Sequence, residues 1–237
     1  IMSFLIFIPA RSGSKRIKNK NLVKLNKKPL ISYTLAVCKK LKNFDTVIST
    51  DNNKIKTVCA QQGFHKIHNR SKLLSRDNTS MIDLILDYLK SLSVMELKKY
   101  KKLILLQPTS PLRTYRDVSK LIDIFNRRKL VSLASVSKVR EHPYECVETK
   151  GNKWEYIKTA KKKLNMSQTY KKNFFFIDGS IYISSFIFLK RYKSLIVKNK
   201  TKLIKANDNF AVDIDEYHDL SLANYYLKKL KNKFNKS

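Results

Sequence analysis

The sequence FLIFIPARSGSKRIKNKN, residues 4–21, joins a continuously apolar segment to a basic loop that holds a single glycine. An apolar run without alternation is typical of a strand buried on both faces, as in parallel sheets. Backbone N–H groups beside Gly13 can approach phosphate oxygens, and the hydroxyls of Ser12 and Ser14 add further donors. We therefore predict a first strand over residues 4–9 and a phosphate-binding loop after it.

Two familiar phosphate-binding motifs are absent from this loop. It contains neither GxxxxGK[ST] nor GxGxxG, because only one glycine is present. Arg11, Lys15 and Lys20 would neutralise phosphate charge if a nucleotide binds here. A solvated basic loop without a ligand is the alternative interpretation of the same residues.

Helical and extended segments alternate along the rest of the chain. The periodicity predicts helices over 29–41, 53–62, 79–92, 115–126, 185–192 and 216–230, and strands over 46–49, 65–68, 103–106, 130–136, 174–184 and 203–204. This alternation predicts an α/β fold with a doubly wound, mostly parallel sheet. The length of 237 residues fits a single domain over 1–237. Between 137 and 174 the pattern breaks, which predicts a small irregular or antiparallel insertion.

The net charge of +32 comes from 50 Lys and Arg residues against 18 Asp and Glu residues. Such an excess would attract polyphosphate, nucleic acid or an anionic membrane. The lysines, however, are spread from Lys15 to Lys236, and no basic motif interleaved with aromatic residues is present. We interpret the charge as compositional and expect no dedicated nucleic-acid partner, although it would still attract a nucleotide.

The cysteines and the apolar runs bear on the compartment. Cys38, Cys59 and Cys146 are odd in number and lack metal-ligand spacing, which favours reduced, packed side chains. The apolar opening is cut short by Arg11 and Lys15, and no run has the length of a membrane span. We expect a cytoplasmic protein without a membrane partner.

Two carboxylates alternate in VDIDEYHDL, residues 212–220. On an extended backbone, Asp213 and Asp215 point to one face and could hold one hard cation. The competing interpretation makes Asp215 the N-cap of a helix that starts at Glu216. We assign no catalytic role to the isolated histidines, His142 and His218.

Taken whole, ARSGSKRIKNKN at 10–21 closely resembles the N-terminal signature of the cytidylyltransferases that activate sialic acid and related sugars. Further matches follow in order through nearly the entire chain: STD at 49–51, LLSRDNTS at 73–80, LLQPTSPLR at 105–113, EHPYE at 141–145, DGSIYI at 178–183 and VDIDEYHDL at 212–220. The resemblance implies a Rossmann-like nucleotidyltransferase fold. It also implies transfer of CMP from CTP to the anomeric hydroxyl of an acidic sugar, with release of pyrophosphate.

The resemblance also implies the roles of individual residues. The CTP site would comprise Arg11, Ser12, Gly13, Ser14, Lys20, Asn21, Arg70 and Ser80, and the sugar site Gln107, Gln168, Asp178 and Gly179. Asp213 and Asp215 would bind Mg²⁺, and with Arg11 and Lys20 they would carry the catalysis. The segment 137–174 is similar to the family's dimer-forming region, so we expect a homodimer. Without the resemblance, QPTSPLR reads as a strand end and a proline turn, with Arg113 merely exposed.

The sequence departs from the sialic acid type where the sugar should bind. Asp178 replaces the asparagine of an NGAIYI-like motif, and Phe176 and Ser167 stand where arginines are expected, although Gln168 remains. Lys171 or Lys172 would not reproduce bidentate guanidinium geometry. Legionaminic or pseudaminic acid is therefore as plausible an acceptor as sialic acid. The alternatives are a 3-deoxy-manno-octulosonate cytidylyltransferase, a nucleic-acid-binding protein, and a silent homologue that only binds nucleotide.

Overall fold

The computed structural model describes residues 3–76, 78–139, 141–158, 174–206 and 211–234. The strands are β1 (Ser3–Pro9), β2 (Lys24–Leu25), β3 (Lys28–Pro29), β4 (Asp45–Thr50), β5 (Ile67–Asn69), β6 (Tyr100–Leu106), β7 (Ser132–Lys138), β8 (Val147–Lys150), β9 (Lys153–Tyr156), β10 (Phe175–Ser185) and β11 (Lys202–Lys205). The helices are α1 (Leu30–Lys40), α2 (Asn53–Gln61), α3 (Met81–Ser91), α4 (Val94–Lys99), α5 (Tyr115–Arg127), α6 (Phe186–Tyr192) and α7 (Tyr217–Phe234).

Seven strands form the central sheet in the order β11-β7-β10-β6-β1-β4-β5. β1 pairs in parallel with β4 and β6, β4 with β5, and β11 with β7. β10 runs antiparallel to both of its neighbours, β6 and β7. The predicted α/β fold with a mostly parallel, doubly wound sheet is confirmed, and β10 is its antiparallel member.

Strand β1 is buried on both faces, as its apolar sequence predicts. Phe4, Ile6 and Ile8 belong to a core cluster that includes side chains from α1, α2 and α5. Leu5 and Phe7 face the opposite side, where the cluster includes side chains from α3 and α6. Helices therefore cover both faces of the sheet, which explains why an alternating pattern is absent from the strand.

A third apolar cluster lies beneath the basic loop. Its buried members are Ile17, Leu25, Leu30, Leu112, Val212, Ile214, Leu220 and Ala223. Ile17 belongs to the loop, whereas Val212 and Ile214 belong to the acidic segment nearly 200 residues later. The apolar side chains of both segments thus pack into one cluster, and this packing brings their polar residues to the same edge of the sheet.

Two elements were not predicted. Helix α4 is short and begins with a reciprocal capping box between Ser93 and Glu96. The β2–β3 hairpin turns through Asn26 and Lys27, whose φ angles are 46° and 67°. Both elements depend on local polar geometry that apolar periodicity does not report.

The predicted insertion is described in part. The antiparallel hairpin β8–β9 lies within it and confirms the antiparallel component. Residues 159–173 lie outside the described residues, and with them Ser167, Gln168, Lys171 and Lys172. The single domain over 1–237 stays a prediction.

All three cysteines are free thiols, with Cys38 and Cys59 buried and Cys146 half-buried, as predicted. Within the described ranges, no helix combines the length and apolarity that crossing a bilayer requires.

Candidate active site

A cleft of about 420 Å³ opens where strands β1 and β6 end at their carboxyl termini. Its lining comprises Pro9, Arg11, Gly13, Ser14, Lys15, Arg16, Lys20, Asn21, Arg70, Arg76, Thr79, Met81, Gln107, Pro108, Thr109 and Asp215. Eight predicted site residues meet there: Arg11, Gly13, Ser14, Lys20, Asn21, Arg70, Gln107 and Asp215. Six of the described lining residues are cationic and one, Asp215, is anionic. The cleft is therefore suited to a polyanionic ligand.

The backbone at Gly13 is open to the cleft. A Cβ atom added there would meet only the Arg11 Nη1 atom, at 3.9 Å, among the described residues. Packing within the described chain therefore does not require a glycine at this position. An open backbone beside cationic side chains is what close approach of a phosphate requires.

The loop is held in shape by its own side chains and by a tight turn. The Asn21 side chain donates to the Arg11 carbonyl at 2.9 Å. Asn19, with φ of 54°, introduces a 3₁₀ turn over Lys20–Leu22. This turn brings Lys20 back over the cleft.

Ser12 does not line the described cleft. Its backbone N–H and its hydroxyl both donate to the carboxylate of Asp51, each at 2.7 Å. Both of its hydrogen-bond donors are therefore engaged away from the cleft, which corrects the expectation that Ser12 faces the phosphates.

Arg70 and Ser80 belong to the segment between β5 and α3. Arg70 is buried and donates through Nε to the Leu74 carbonyl at 2.7 Å. Burial and the nearby Arg11 guanidinium lower the pKa of Arg70. Ser80 is the N-cap of α3 and exchanges hydrogen bonds with Asp83, at 3.1 Å and 2.6 Å. Ser80 is therefore placed as a cap, and its neighbours Thr79 and Met81 line the cleft instead.

Asp215 is turned toward the basic loop. It accepts hydrogen bonds from Lys20 Nζ at 2.7 Å and from Arg16 Nη2 at 3.1 Å. Burial would raise the pKa of Asp215, but these cations outweigh burial and hold the pKa below its usual value.

The N-cap interpretation of Asp215 is wrong. Helix α7 begins at Tyr217, and the Asp219 side chain accepts from the backbone N–H groups of Asp215 and Glu216, at 2.9 Å and 2.7 Å. Asp219 therefore caps the helix start, and the Asp215 carboxylate is left to face the loop.

Asp213 lies on the same side of the segment as Asp215, because Val212 and Ile214 alternate with them and are buried. Asp213 remains open to solvent, yet protein atoms crowd it on its other sides. This desolvation raises the pKa of Asp213, and the charge of Asp215 adds to the increase. Among the described residues, no cluster of three or more His, Cys, Asp or Glu side chains could hold a metal ion. The two carboxylates are close enough for the charge of Asp215 to act on Asp213.

Arg113 is buried beneath the cleft, with 7% of its surface exposed. It donates through Nη1 to the carbonyls of Gln107 and Ser180, at 3.1 Å and 2.7 Å, and through Nη2 to Thr34 Oγ1 at 2.7 Å. Burial lowers its pKa to about 10. Arg113 therefore ties the end of β6 to β10, and the expectation that it is merely exposed is wrong.

Asp178 and Gly179 lie in the irregular part of β10 opposite Gln107. The Asp178 carboxylate is buried and accepts from the hydroxyls of Ser135 and Ser137 and from the Ser180 N–H. It faces a small cavity of about 30 Å³ behind the cleft, so it does not line the cleft as a sugar ligand would. A Cβ atom added at Gly179 would lie 3.6 Å from Gln107 Nε2. Gly179 is therefore packed against the amide that enters the cleft.

The two histidines lie outside the described cleft lining. His142 packs against the rings of Tyr144 and Phe174, at centroid distances of 4.8 Å and 4.9 Å. His218 is exposed on the first turn of α7, near Glu216 and Asp219. These positions agree with the structural interpretation of both residues.

Four charged residues that line the cleft or hold its walls were given no role by the sequence: Arg16, Asp51, Arg76 and Arg113. Arg16 and Arg76 line the cleft, while Asp51 and Arg113 hold its walls. Asp51 carried one usable signal, because it follows a predicted strand that lies beside the strand of the loop.

The Cytidylyltransferase family model matches residues 5–231. The CMP-N,N'-diacetyllegionaminic acid synthase of Legionella pneumophila is 31% identical over 226 residues, which are 93% of this chain and 94% of that protein. The protein of the same name from Campylobacter jejuni is 30% identical over 230 residues, 96% of each chain.

A solved structure agrees on the fold. A CMP:2-keto-3-deoxy-manno-octonic acid synthetase complexed with CTP superposes with a TM-score of 0.66 at 15% identity, covering 96% of this chain and 99% of that one. At this identity the likeness supports the fold alone. The family match over residues 5–231 and the relatives at 30% and 31% identity show the family as well as the fold. The chain therefore belongs to the cytidylyltransferase family and is a nucleotidyltransferase similar to the CMP-sialic acid synthetases.

Proposed function

We propose that this cytidylyltransferase transfers CMP from CTP to the anomeric hydroxyl of a nonulosonic acid and releases pyrophosphate. One observation carries the proposal: the cationic loop, Asp215 and Gln107 line one cleft, and Asp213 lies beside Asp215 on the same side of its segment. A triphosphate needs cations and an open backbone, and an acidic sugar needs a polar wall beside them. The three parts of the site supply these features together.

In this proposal, the triphosphate lies along the loop. The N–H groups of Gly13 and Ser14 face its oxygens, while Arg11, Lys20 and Asn21 surround it. Arg70 lies beside Arg11 in the cleft lining, where the cytosine and its ribose would fit. Electrostatic stabilisation by fixed cations is the main catalytic contribution expected in a phosphoryl-type transfer.

The reaction is an in-line displacement at the α-phosphorus of CTP. The anomeric hydroxyl oxygen of the acceptor attacks and its proton passes to solvent, while the bond from the α-phosphorus to the bridging oxygen breaks and pyrophosphate leaves with that oxygen. Arg11 and Lys20 offset the charge that develops on the leaving group. The loop and Gln107 hold the reactants in line, which converts a bimolecular encounter into a reaction between neighbours.

Asp213 and Asp215 are the residues we propose for Mg²⁺. Their side chains supply hard oxygen ligands on one side of the segment, which suits this ion. Burial raises the pKa of Asp213 and the charge of Asp215 adds to the increase, and a bound cation would favour the ionised form of both carboxylates. When bound, Mg²⁺ would neutralise phosphate charge. Lys20 keeps Asp215 ionised and oriented toward the loop.

A legionaminic-type acid is our first choice among acceptors. Two relatives that match more than nine-tenths of the chain are named CMP-N,N'-diacetyllegionaminic acid synthases. The buried position of Asp178 also removes a carboxylate from the cleft wall, where it would repel an acidic sugar. Gln107, backed by Gly179, is the neutral group we propose to face the acceptor.

We further propose a homodimer that works in the cytoplasm. Large apolar side chains are exposed on and near the β8–β9 hairpin: Val147, Trp154, Tyr156, Ile157, Phe175, Phe176 and Ile177. Such a concentration is typical of an interaction surface. The three free thiols agree with a reducing compartment.

Pyrophosphate release tests the proposal. Each of the four nucleoside triphosphates is supplied with Mg²⁺ and one of four acceptors: sialic, legionaminic, pseudaminic or 3-deoxy-manno-octulosonic acid. We expect release with CTP and a nonulosonic acid, and a loss of about 100-fold or more in Asp213→Asn. Asp123→Asn, an exposed carboxylate on α5, is the matched control and should keep full activity.

The acceptor panel also separates the alternatives. Release with the octulosonic acid alone would replace the acceptor we propose. Binding of CTP without turnover of any acceptor, in wild-type protein, would favour a silent homologue.

A further inference from the structure

Asp51 holds the start of the phosphate loop through a two-point contact. It is the first residue after β4, which pairs in parallel with β1. One carboxylate oxygen accepts from the Ser12 N–H and the other from the Ser12 hydroxyl, each at 2.7 Å. These two hydrogen bonds fix both the backbone and the side chain of Ser12.

Ser12 lies between residues that do line the cleft. Arg11 precedes it, and Gly13 and Ser14 follow it. Because the Ser12 N–H is turned toward Asp51, the loop leaves β1 in a defined direction. This direction determines which way the next N–H groups point.

Asp51 also acts on Arg70, one of the arginines that line the cleft, which lies beside a second one, Arg11. Arg11 donates to the Ser75 carbonyl at 3.3 Å, and Arg70 donates to the Leu74 carbonyl at 2.7 Å. Two guanidinium groups are thus held by successive carbonyls of one 3₁₀ turn, where they repel each other. Burial and this repulsion lower the pKa of Arg70, whereas the charge of Asp51 raises it.

The carboxylate itself is kept ionised by its partners. Burial would raise the pKa of Asp51, but hydrogen bonds from Ser12, from its own backbone N–H and from Ser75 together outweigh burial and lower it. At neutral pH, Asp51 is therefore a fixed negative charge beside Ser12 that also acts on Arg70.

We propose that Asp51 is a positioning residue for nucleotide binding, which acts by holding Ser12 so that Gly13 and Ser14 face the phosphates. The inference rests on the proposed function, because it assumes that a triphosphate lies along this loop. It assigns a role to the end of the STD motif and makes Ser12 a structural link between Asp51 and the cleft.

Charge and geometry predict opposite results for a substitution at Asp51. Removing a negative charge beside a cationic cleft should, by Coulomb attraction alone, tighten the binding of an anion. Losing the two hydrogen bonds that hold Ser12 should weaken the binding of the anion. A loss of affinity in Asp51→Ala therefore reports positioning.

Calorimetric titration of CTP into the full chain without an acceptor is the measurement. We expect Asp51→Ala to weaken CTP binding about tenfold. Asp51→Asn should be weakened less, because an amide can still accept from the Ser12 N–H and donate to the Ser12 hydroxyl. Asp45→Ala is the matched control. Asp45 lies at the far end of the same strand and accepts a hydrogen bond from Lys99 at 2.6 Å. The Asp45→Ala variant should therefore bind CTP as the wild type does.

A double-mutant cycle with Ser12→Ala separates positioning from direct phosphate contact. Positioning predicts that Ser12→Ala weakens CTP binding severalfold in the wild-type background and less than twofold in the Asp51→Ala background. A direct contact predicts the same factor in both backgrounds, which would overturn the inference.

Two further outcomes separate this inference from the proposed function. If wild type binds CTP and both Asp51 variants bind it equally well or more tightly, the inference fails and the proposed function stands. If wild type binds none of the four nucleotides, the proposed function fails and the inference fails with it. Circular dichroism melting of each variant shows whether it folds, and Asp51→Asn keeps the test informative if Asp51→Ala does not.

Discussion

At the scale of single residues, Lys20 links the basic loop to the acidic segment that contains Asp215. Its ammonium group donates to the Asp215 carboxylate at 2.7 Å and to the Ile214 carbonyl at 2.9 Å. Lys20→Met removes both contacts and one cation from the cleft. We expect kcat/KM for CTP to fall about 100-fold, because a fixed positive charge near the leaving group is lost.

The control for Lys20→Met is Lys18→Met. Lys18 belongs to the same loop and is exposed, and it does not line the described cleft. It removes the same charge from the chain and should change kcat/KM for CTP less than twofold. Equal losses of kcat/KM in the two variants would mean that the overall charge of the chain sets kcat/KM for CTP, and that the specific contacts of Lys20 do not.

The sequence predicted the residues that the loop itself presents, and it missed those that depend on distant partners. Gly13, Ser14, Lys20 and Asn21 follow one buried strand, so their position at the sheet edge could be inferred. The contact between Ser12 and Asp51 spans 39 residues, and periodicity carries no information about such pairs. Burial of an arginine is likewise decided by the elements around it, so nothing local marked Arg113 as a clamp.

At the scale of elements, the turn in β10 sets the position of Gln107. The register of β10 against β7 shifts between Ile177 and Tyr182, and Gly179 has φ of 68° within this shift. A residue with a Cβ atom is strained in this conformation by about 1 kcal/mol or more. Gly179→Ala should therefore lower the melting temperature by about 2–4 °C and raise KM for the acceptor.

Gly63 offers a comparison, because its φ is also positive but it does not line the described cleft. It follows α2 with φ of 82°, and a Cβ atom there would meet nothing described within 4 Å. Gly63→Ala should lower the melting temperature by a similar amount and leave KM for the acceptor unchanged. Acceptor kinetics of both variants at equal folded fraction distinguish strain from the contact with Gln107. An unchanged KM in Gly179→Ala would contradict the placement of Gln107 beside the sugar.

Element types and the mostly parallel sheet were predicted from the sequence pattern, but the antiparallel direction of β10 was not. The long apolar strands β1 and β6 and the amphipathic helices α3 and α5 carry strong patterns. The antiparallel direction of β10 depends on how the chain returns after the insertion, which periodicity cannot report. Short elements such as α4 are stabilised by a capping box, with few buried side chains to mark them.

At the scale of the whole molecule, the net charge of +32 and the cationic cleft have different meanings. Lysines spread over the surface raise the general attraction for anions, which salt screens within about 10 Å at 0.1 M ionic strength. The cleft places six cations and the carboxylate of Asp215 around one space of about 420 Å³. The sequence predicted the total charge, whereas the fold determined where charge of each sign is concentrated.

The β8–β9 hairpin connects this scale to the proposed homodimer. All eight residues of its two strands are exposed, and the rings of Trp154 and Tyr156 pack edge to face at 5.3 Å. An isolated two-stranded hairpin is marginally stable in water, so burial of these rings against a second copy would stabilise it. We expect wild type to sediment as a dimer and Trp154→Ser with Tyr156→Ser as a monomer at the same micromolar concentration. Tyr225→Ser removes a ring from α7 that is 58% exposed and should remain a dimer. A wild-type monomer, or a double variant that still dimerises, would place the subunit contact elsewhere or remove it.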